Sequence, residues 1–273
     1  MPPVIRLLPP QQGIHFDEPS HRYHVWSPQR GRWMQPSSVS QALTVSGIKG
    51  FDSRFWRKSL IEKHGMRSAE ADLYMELHRN NRAAIGTELH GLIQAELLGG
   101  NFWPKLAESL MLFAVWRRKF LPEVEEVYVC ESPMASGHHF YTGTPDLLAR
   151  VRGQLLWCDW KSKVSADKAK ADKAWLLQLT GYDGLGREHH AIVADGALNL
   201  MIHSEDCSNK GDCIEVFYNR ADLDQAWPKF LGAVYACHCI RGQDGDADSA
   251  AAAAHLLATY PAIGELVPAA AGS

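Results

Sequence analysis

Two runs of sequence decide the fold: Gly143-Thr144-Pro145-Asp146-Leu147-Leu148 and Leu155-Leu156-Trp157-Cys158-Asp159-Trp160-Lys161. Short apolar runs separated by glycine are typical of consecutive strands, which we predict over residues 141–151 and 155–160. Neighbouring side chains on a strand point to opposite faces, so Asp159 and Lys161 should project from the same face. We therefore expect two acids, Asp146 and Asp159, to converge with Lys161 across a hairpin.

Upstream of this hairpin the sequence predicts a small β-structure and then a series of helices. Residues 14–35 alternate apolar and polar side chains, which favours a hairpin. The segment Ser38-Val39-Ser40-Gln41 is a capping box and predicts the start of a helix. Further elements are predicted as a helix from Asp52 to about Lys63, one long or two shorter helices within 68–98, a helix over 104–120 and a strand over 124–129.

Downstream of the hairpin the sequence predicts alternating helices and strands. They are a helix from about Asp167 to Leu185, strands over 191–203 and 214–218, and a helix over 222–240. This order indicates an α/β fold with a mixed central sheet flanked by helices. We expect a single domain over 1–242 with its core at about 80–220, followed by an Ala-rich, helical or frayed tail over 243–273.

Composition limits the classes of protein to which the chain can belong. Hydrophobic residues make up 46% and charged residues 22%, as in soluble globular proteins. No stretch approaches the roughly 18 apolar residues that cross a bilayer, and residues 1–13 lack the pattern of a secretion signal. We therefore expect a cytoplasmic protein with no membrane partner. The net charge of −3 argues against a protein that coats nucleic acid through bulk positive charge, although local basic patches remain compatible with it.

The six cysteines are expected to be reduced thiols, because the chain is long and has no export signal. Two pairs are candidate metal ligands. Cys207 and Cys213 are six positions apart, and Cys237 and Cys239 are two apart, so neither pair has the spacing of common zinc knuckles. Buried or surface thiols are the favoured interpretation.

The converging acids and lysine suit phosphodiester hydrolysis. This reaction needs a group that neutralises the scissile phosphate and a source of hydroxide near neutral pH, and Mg²⁺ or Mn²⁺ on hard oxygen ligands supplies both. Asp146 and Asp159 would be those ligands, with the backbone carbonyl of Trp160 as a third. Lys161 would orient the attacking water or stabilise developing negative charge. The alternative is a plain cross-strand ion pair on a solvated face of the sheet.

Four motifs in a fixed order support the catalytic interpretation. They are Gly86-Thr87-x-x-His90, Gly143-x-Pro145-Asp146, Asp159-x-Lys161 and Gln178-x-x-x-Tyr182. In this order they resemble the PD-(D/E)xK nuclease superfamily, in its RecB-like branch, which includes phage exonucleases and the mitochondrial genome maintenance exonuclease. The resemblance covers roughly residues 80–190. It implies the restriction-endonuclease-like α/β core of that superfamily and DNA as the substrate.

The resemblance also implies roles for two residues outside the hairpin. His90 would ligate or position a metal from the helix before the sheet, although a histidine beside an apolar stripe is more often a boundary residue of the core. The family often has an acid four positions after this histidine, where this chain has Gln94, with Glu96 two further on. Glu131 would lie behind the metal ligands and support them.

Substrate contacts are implied for the helix after the Asp159 strand. Gln178 and Tyr182 lie one turn apart, with Trp175 on the same side, and would contact nucleic acid or buttress the metal site. Lys163 would grip phosphates, together with the nearby Lys168, Lys170 and Lys173. The alternative is a helix that packs its apolar face on the sheet while its lysines are simply solvated.

The sequence thus predicts a metal-dependent DNA exonuclease, with Mg²⁺ or Mn²⁺ as cofactor, in phage-type DNA recombination, repair or processing. A single-strand annealing recombination protein is the protein partner that the resemblance implies, and no oligomer interface can be identified. The alternatives are a sequence-specific or structure-specific endonuclease of the same fold and a non-catalytic nucleic-acid-binding scaffold. An iron-sulfur variant is disfavoured because no cysteine precedes Cys130. No catalytic role is assigned to His138, His139, His189 or His190.

Overall fold

The computed structural model describes residues 2–17, 20, 22–48, 53–163, 172–203 and 212–265. Its strands, numbered along the chain, are β1 (Val4–Ile5), β2 (Ile14–Asp17), β3 (Arg22–Ser27), β4 (Arg32–Met34), β5 (Ser37–Ser38), β6 (Val124–Cys130), β7 (Met134–Ser136), β8 (Tyr141–Gly143), β9 (Leu147–Val151), β10 (Gln154–Lys163), β11 (Gly196–His203) and β12 (Asp212–Asn219). Its α-helices are α1 (Val39–Val45), α2 (Ser53–His64), α3 (Ser68–Leu98), α4 (Ala107–Lys119), α5 (Lys173–His190), α6 (Arg220–Gln243) and α7 (Ala247–Thr259). No helix in these ranges is long and apolar enough to span a lipid bilayer.

A six-stranded mixed sheet forms the centre, in the order β1-β6-β9-β10-β11-β12. The meander β6-β9-β10 is antiparallel, whereas β10 and β11 run parallel, with α5 connecting them. Strand β10 is the longest of the six and lies inside the sheet, so its side chains meet helices on both faces. The predicted α/β fold with a mixed central sheet flanked by helices is confirmed.

Helices cover both faces of this sheet and bury two separate apolar clusters. Helices α3 and α4 pack on one face, around Leu89 and Trp116, and α1, α5 and α6 pack on the other, around Trp157 and Phe230. Strand β10 contributes to both clusters with a period of two. Trp157 belongs to one cluster, and its neighbours Leu156 and Cys158 belong to the opposite one. The polar residues Asp159, Lys161, Ser162 and Lys163 lie in the second half of the strand.

Helix α5 lies unusually close to its neighbours because three glycines face them. A Cβ atom at Gly181 would meet Cζ of Phe230 at 2.7 Å. A Cβ atom at Gly184 would overlap Trp227, and one at Gly186 would overlap Trp157. Only glycine permits these contacts without displacing an aromatic ring.

One predicted strand is two strands in the structure. The prediction of a single strand over 141–151 is wrong, because β8 pairs with β7 and β5 in a separate three-stranded sheet, and β9 begins only at Leu147. Pro145 lies in the break and has no N–H to donate to a β-ladder, so the chain leaves one sheet and enters the other there. Asp146 consequently lies immediately before β9, where it is 5% exposed.

Other predicted boundaries shift by a few residues. The predicted N-terminal hairpin is a three-stranded antiparallel sheet, β2-β3-β4, and the Ser38–Gln41 capping box is confirmed. Residues 68–98 form one helix. Helix α4 begins at Ala107 rather than Pro104, and α5 extends to His190. The predicted cap Asp52 and the predicted helical residues 167–171 lie outside the described residues.

The C-terminal segment packs against the rest of the chain. Asp246 caps α7 by accepting hydrogen bonds from two backbone amides. Leu256 of α7 is fully buried in the α6 face of the core, and Asp248 pairs with Arg32 at 2.7 Å. Residues 247–259 are therefore helical, as the helical alternative predicted, and are packed rather than frayed. Residues 266–273 of the predicted tail lie outside the described residues.

The cysteines in the described part of the chain are all free thiols. They are Cys130, Cys158, Cys213, Cys237 and Cys239. Burial raises the pKa of Cys130 to about 12, with Glu131 and Asp146 adding to the effect. The prediction of reduced thiols is confirmed for these five residues, and Cys207 lies outside the described ranges.

Buried His238 predicts a loss of stability at low pH. Its side chain on α6 is fully buried, and burial lowers its pKa to about 4, below the ordinary value of 6.5. The unfolded chain therefore binds the proton first, so this stability is present above pH 6.5 and is lost as the pH falls towards 4. The shift corresponds to about 3 kcal/mol.

We expect a His238→Phe variant to lose less unfolding free energy than the wild type on acidification. The measurement is urea unfolding of both proteins at about pH 7 and about pH 4.5. Phenylalanine has a similar shape but no titrating group, so the two proteins should differ only in the pH-dependent loss that His238 causes. An equal loss of unfolding free energy between the two pH values in both proteins would mean that the pKa of His238 is the same in the folded and unfolded states.

Candidate metal centre

Strand register brings three acidic residues into one row across the sheet. Leu147 of β9 pairs with Cys130 of β6 on one side and with Cys158 of β10 on the other. The next position along each strand is therefore Asp146, flanked by Glu131 and Asp159. The backbone N–H of Glu131 donates to the carbonyl of Asp146 at 3.1 Å, which keeps this level of the sheet in register.

Helix α3 adds His90 to the row. Nδ1 of His90 lies 2.8 Å from Oε1 of Glu131 and 3.7 Å from Oδ1 of Asp146. One ligand atom from each of these three residues lies within 4.8 Å of the others, so the group can hold a metal ion. We call His90, Glu131 and Asp146 the acidic cluster.

The acidic cluster strongly favours a positive charge at its centre. Burial opposes protonation of His90, but the charge of Asp146 and the hydrogen bond that His90 donates to Glu131 outweigh it and raise the His90 pKa to about 9. Burial also raises the pKa of Asp146 to about 8, assisted by the charges of Asp159 and Glu131 and opposed by that of His90. Buried carboxylates that repel one another in this way are stabilised by a nearby cation.

Backbone geometry explains how Glu131 reaches the cluster. Its φ of 47° is in the left-handed region, which non-glycine residues seldom adopt. Strand β6 ends at Cys130, directly before this residue. Sequence analysis assigned Glu131 a supporting place behind the ligands, whereas the structure puts its carboxylate beside His90 among the candidate ligands themselves.

Asp159 is held by a different set of partners. Its Oδ1 accepts from Nε2 of Gln178 at 2.9 Å, and its Oδ2 accepts from Nδ2 of Asn199 at 2.8 Å and from Nζ of Lys161 at 2.6 Å. The carboxylate is only 1% exposed. In this arrangement Asp159 lies next to the acidic cluster but is engaged by donors on α5, β10 and β11, so its role as a metal ligand stays a prediction.

Lys161 keeps its charge although it is largely buried. Burial lowers the pKa of its ammonium group, but Asp159 and Asp146 outweigh this and raise it above the ordinary value. Its Nζ also lies 3.4 Å from Oε1 of Gln178. Lys161 thus contacts Asp159 directly and is influenced electrostatically by Asp146, and the joint catalytic role of the three residues stays a prediction.

Trp160 contributes through its backbone. Its N–H donates to Oδ2 of Asp146 at 2.7 Å and fixes that carboxylate. As predicted, its side chain points to the opposite face, where the indole packs edge-on against Trp116 and Phe120. The carbonyl of Trp160 as a third ligand stays a prediction.

Gln178 and Tyr182 are buried supports of the site. The Nε2 of Gln178 donates both to Asp159 and to the hydroxyl of Tyr182, the latter at 2.9 Å. Their exposed fractions are 6% and 5%. Of the two implied roles, contact with nucleic acid or support of the metal site, these contacts match the second.

A cavity of about 380 Å³ opens beside the acidic cluster. It lies between α3 and α5 and is lined by Gly86, Leu89, His90, Trp160, Lys161, Ser162, Lys163, Asp172 and Trp175. The Nζ of Lys163 lies 4.9 Å from the ring centroid of Trp175. Burial lowers the pKa of Lys163, and the neighbouring charge of Lys161 adds to this. Lys173 is exposed at the start of α5, and Lys168 and Lys170 lie outside the described residues.

Sequence analysis missed two residues that contact the site. Asn199 is fully buried on β11 and holds Asp159, and its signal was an amide within the otherwise apolar run Ala197–Ile202. The hydroxyl of Tyr23 on β3 lies 2.8 Å from Oγ1 of Thr144, two positions before Asp146. No local pattern could have indicated that contact, because it joins segments 121 residues apart. Glu96, the acid that follows Gln94 on α3, pairs with Arg117 at 2.9 Å and is not part of the acidic cluster.

Comparisons with known proteins give no functional argument. No protein-family model matches the chain, and no curated protein matches it. Among solved structures, the chain is similar to one described as "Crystal structure of SSO0001", with 16% identity and a TM-score of 0.29, over 71% of this chain and 82% of that chain. A likeness of this strength indicates neither a fold family nor an activity.

Proposed function

We propose that the protein is a divalent-metal-dependent DNA nuclease with a PD-(D/E)xK core, and that exonuclease activity is its main reaction. The observation that carries the proposal is the acidic cluster beside the buried Asp159–Lys161 ion pair, next to a cavity that is also lined by the cationic side chain of Lys163. Hard oxygen ligands next to a fixed lysine are the groups that phosphodiester hydrolysis requires.

The donor set fits Mg²⁺ or Mn²⁺. Two carboxylates and one imidazole offer hard oxygen ligands and a nitrogen ligand that Mn²⁺ accepts readily, and no thiolate of the described residues belongs to the cluster. Glu131, Asp146 and His90 would hold the ion. When bound, the ion supplies neutralisation of the phosphate charge and lowers the pKa of a water molecule.

The protein's own residues provide orientation and charge. Lys161 brings a compact ammonium group next to the cluster, where it stabilises negative charge that develops on the phosphate. Asp159 holds Lys161 at 2.6 Å and is itself held by Gln178 and Asn199, so the lysine is positioned before substrate arrives. Leu89 and Trp160 contribute apolar surface to the cavity lining.

The test uses linear DNA labelled at its ends and closed circular DNA, each incubated with Mg²⁺ or Mn²⁺. We expect release of label from linear DNA, no cutting of circles, and no reaction when the metal is chelated. In a Glu131→Gln variant we expect Mn²⁺ affinity, measured by calorimetry, to fall by about 10- to 100-fold. The matched control is Glu62→Gln, which removes an exposed carboxylate on α2.

The outcomes separate the competing functions. Cutting of closed circles would replace the exonuclease by an endonuclease of the same site. Binding of DNA without any cleavage would indicate a non-catalytic scaffold. Equal Mn²⁺ affinity in the Glu131→Gln variant and the Glu62→Gln control would reject the acidic cluster as the metal centre.

A further inference from the structure

The cavity extends along β10 beyond the acidic cluster. His90 and Lys161 line the end that belongs to the cluster, and Ser162, Lys163 and Trp175 line the part beyond it. We call this second part the β10 subsite. Ser162 and Lys163 follow Lys161 directly along β10, and Trp175 of α5 lies against Lys163, so a polymer bound at the cluster would meet these residues next.

The β10 subsite carries a positive charge that is not neutralised by an ion pair. Within the described residues, Lys161 has Asp159 as its carboxylate partner at 2.6 Å, whereas no carboxylate lies within ion-pair distance of Lys163. Lys163 instead lies over the ring of Trp175. The carboxylate that lines this part, Asp172, accepts a hydrogen bond from the N–H of Ala174 at 2.8 Å and caps α5.

Hydrogen-bond donors accompany this charge. The guanidinium of Arg82 on α3 donates to the hydroxyl of Ser162 at 3.1 Å and also pairs with Glu108. The Ser162 hydroxyl is thereby oriented by Arg82, with its own proton free to point elsewhere. Ser162 and Lys163 line the same cavity, and a hydroxyl and an ammonium group can each bind a phosphate oxygen.

Helix α3 exposes its backbone to the same cavity. A Cβ atom at Gly86 would meet nothing within 4 Å, whereas one at Gly91 would overlap the ring of Phe102. Packing therefore explains Gly91 but not Gly86, although glycine inside a helix is unfavourable relative to alanine. The missing side chain at Gly86 leaves space that a ligand can occupy.

We propose that the β10 subsite binds the phosphate adjacent to the one at the acidic cluster, with Lys163 as its charge partner. Gly86 provides the space for the nucleic acid strand. This inference rests on the proposed function. It makes the substrate a polynucleotide that occupies at least two phosphate positions, read through its backbone and not through its bases. The contact is sequence-independent, as expected for charge and hydroxyl contacts to phosphate.

The first test measures binding without turnover. A fluorescent single-stranded oligonucleotide of about 12 nucleotides is titrated with metal-free protein over a range of KCl concentrations. We expect Lys163→Gln to weaken binding several-fold at low salt and to reduce the slope of log K against log salt by about 0.7, the value for one contact to single-stranded DNA. The matched control is Lys229→Gln, an exposed lysine on α6, which should behave as the wild type.

The second test locates the contact along the strand. Oligonucleotides with a single neutral methylphosphonate at successive positions are compared in the wild type and in Lys163→Gln. We expect one position at which the neutral linkage weakens binding to the wild type but causes no further loss in the variant. If the neutral linkage and the Lys163→Gln substitution weaken binding additively at every position, the proposal is overturned. An unchanged slope of log K against log salt in the variant would also overturn it.

A third variant fills the space directly. Gly86→Leu should unfold at the same or a higher temperature than the wild type, because leucine is the better helix former, and should bind the oligonucleotide more weakly. Wild-type affinity in this folded variant would overturn the role of Gly86. Failure of the wild type itself to bind DNA would contradict the proposed function. If the wild type binds DNA and the Lys163→Gln variant binds it with the same affinity, only the β10 subsite is contradicted.

Discussion

An Asp146→Asn variant is expected to lose about three orders of magnitude in kcat/KM for DNA cleavage. Asp146 is the member of the acidic cluster that contacts both His90 and the backbone of Trp160. Asparagine can still accept the Trp160 N–H, so the substitution removes the charge and retains the local fold. Loss of a few kcal/mol of metal-dependent charge stabilisation corresponds to about 10³-fold in rate.

Stability should move in the opposite direction in this variant. Burial and neighbouring carboxylates raise the pKa of Asp146, so its ionised form is unfavourable in the protein without metal. We expect Asp146→Asn to unfold at the same temperature as the wild type or higher, measured in the presence of a chelator. Asp72→Asn, which alters an exposed carboxylate on α3, is the matched control for activity. Activity retained within about tenfold would exclude Asp146 from the metal centre.

A Lys161→Ala variant is expected to lose about 10²- to 10³-fold in kcat while it retains Mn²⁺ binding. The lysine pairs with Asp159 and is not one of the three residues of the acidic cluster. Its removal should therefore affect the reaction more than the affinity for metal. Single-turnover cleavage and Mn²⁺ calorimetry measure the two effects separately. Lys229→Ala is the matched control for removal of a lysine side chain.

Loss of Lys161 also leaves Asp159 buried without its cation, which by itself costs about 3–5 kcal/mol of stability. The paired variant Lys161→Met with Asp159→Asn removes both charges and avoids this penalty. It should be folded and equally inactive. Recovery of activity in the paired variant would show that the ion pair is structural and that Lys161 takes no part in the reaction.

Local sequence pattern was sufficient for the part of the site that lies on one strand. The period of two along β10 placed Asp159 and Lys161 on the same face and Trp160 on the other, and all three are found so. The register of β9 against β10 then brings Asp146 to the same level. These positions depend on neighbours a few residues away, which is the range over which sequence patterns are informative.

The contributions that sequence could not predict depend on backbone conformation or on distant segments. Glu131 joins the acidic cluster through a positive φ directly after β6, and residue type alone does not specify that conformation. Asn199 holds Asp159 only because β11 pairs in parallel with β10 at that register. The predicted strand over 141–151 failed for a related reason, since a single proline at the sheet edge divides it between two sheets.

The glycines of α5 have a consequence for how the site is lost. A helix with glycine at 181, 184 and 186 has little tendency to form by itself, so its order depends on the aromatic rings that lie against it. Gln178 and Tyr182 are on this helix and support Asp159 from it. Loss of this aromatic packing should therefore also release Asp159 from the hydrogen bond that Gln178 donates to it.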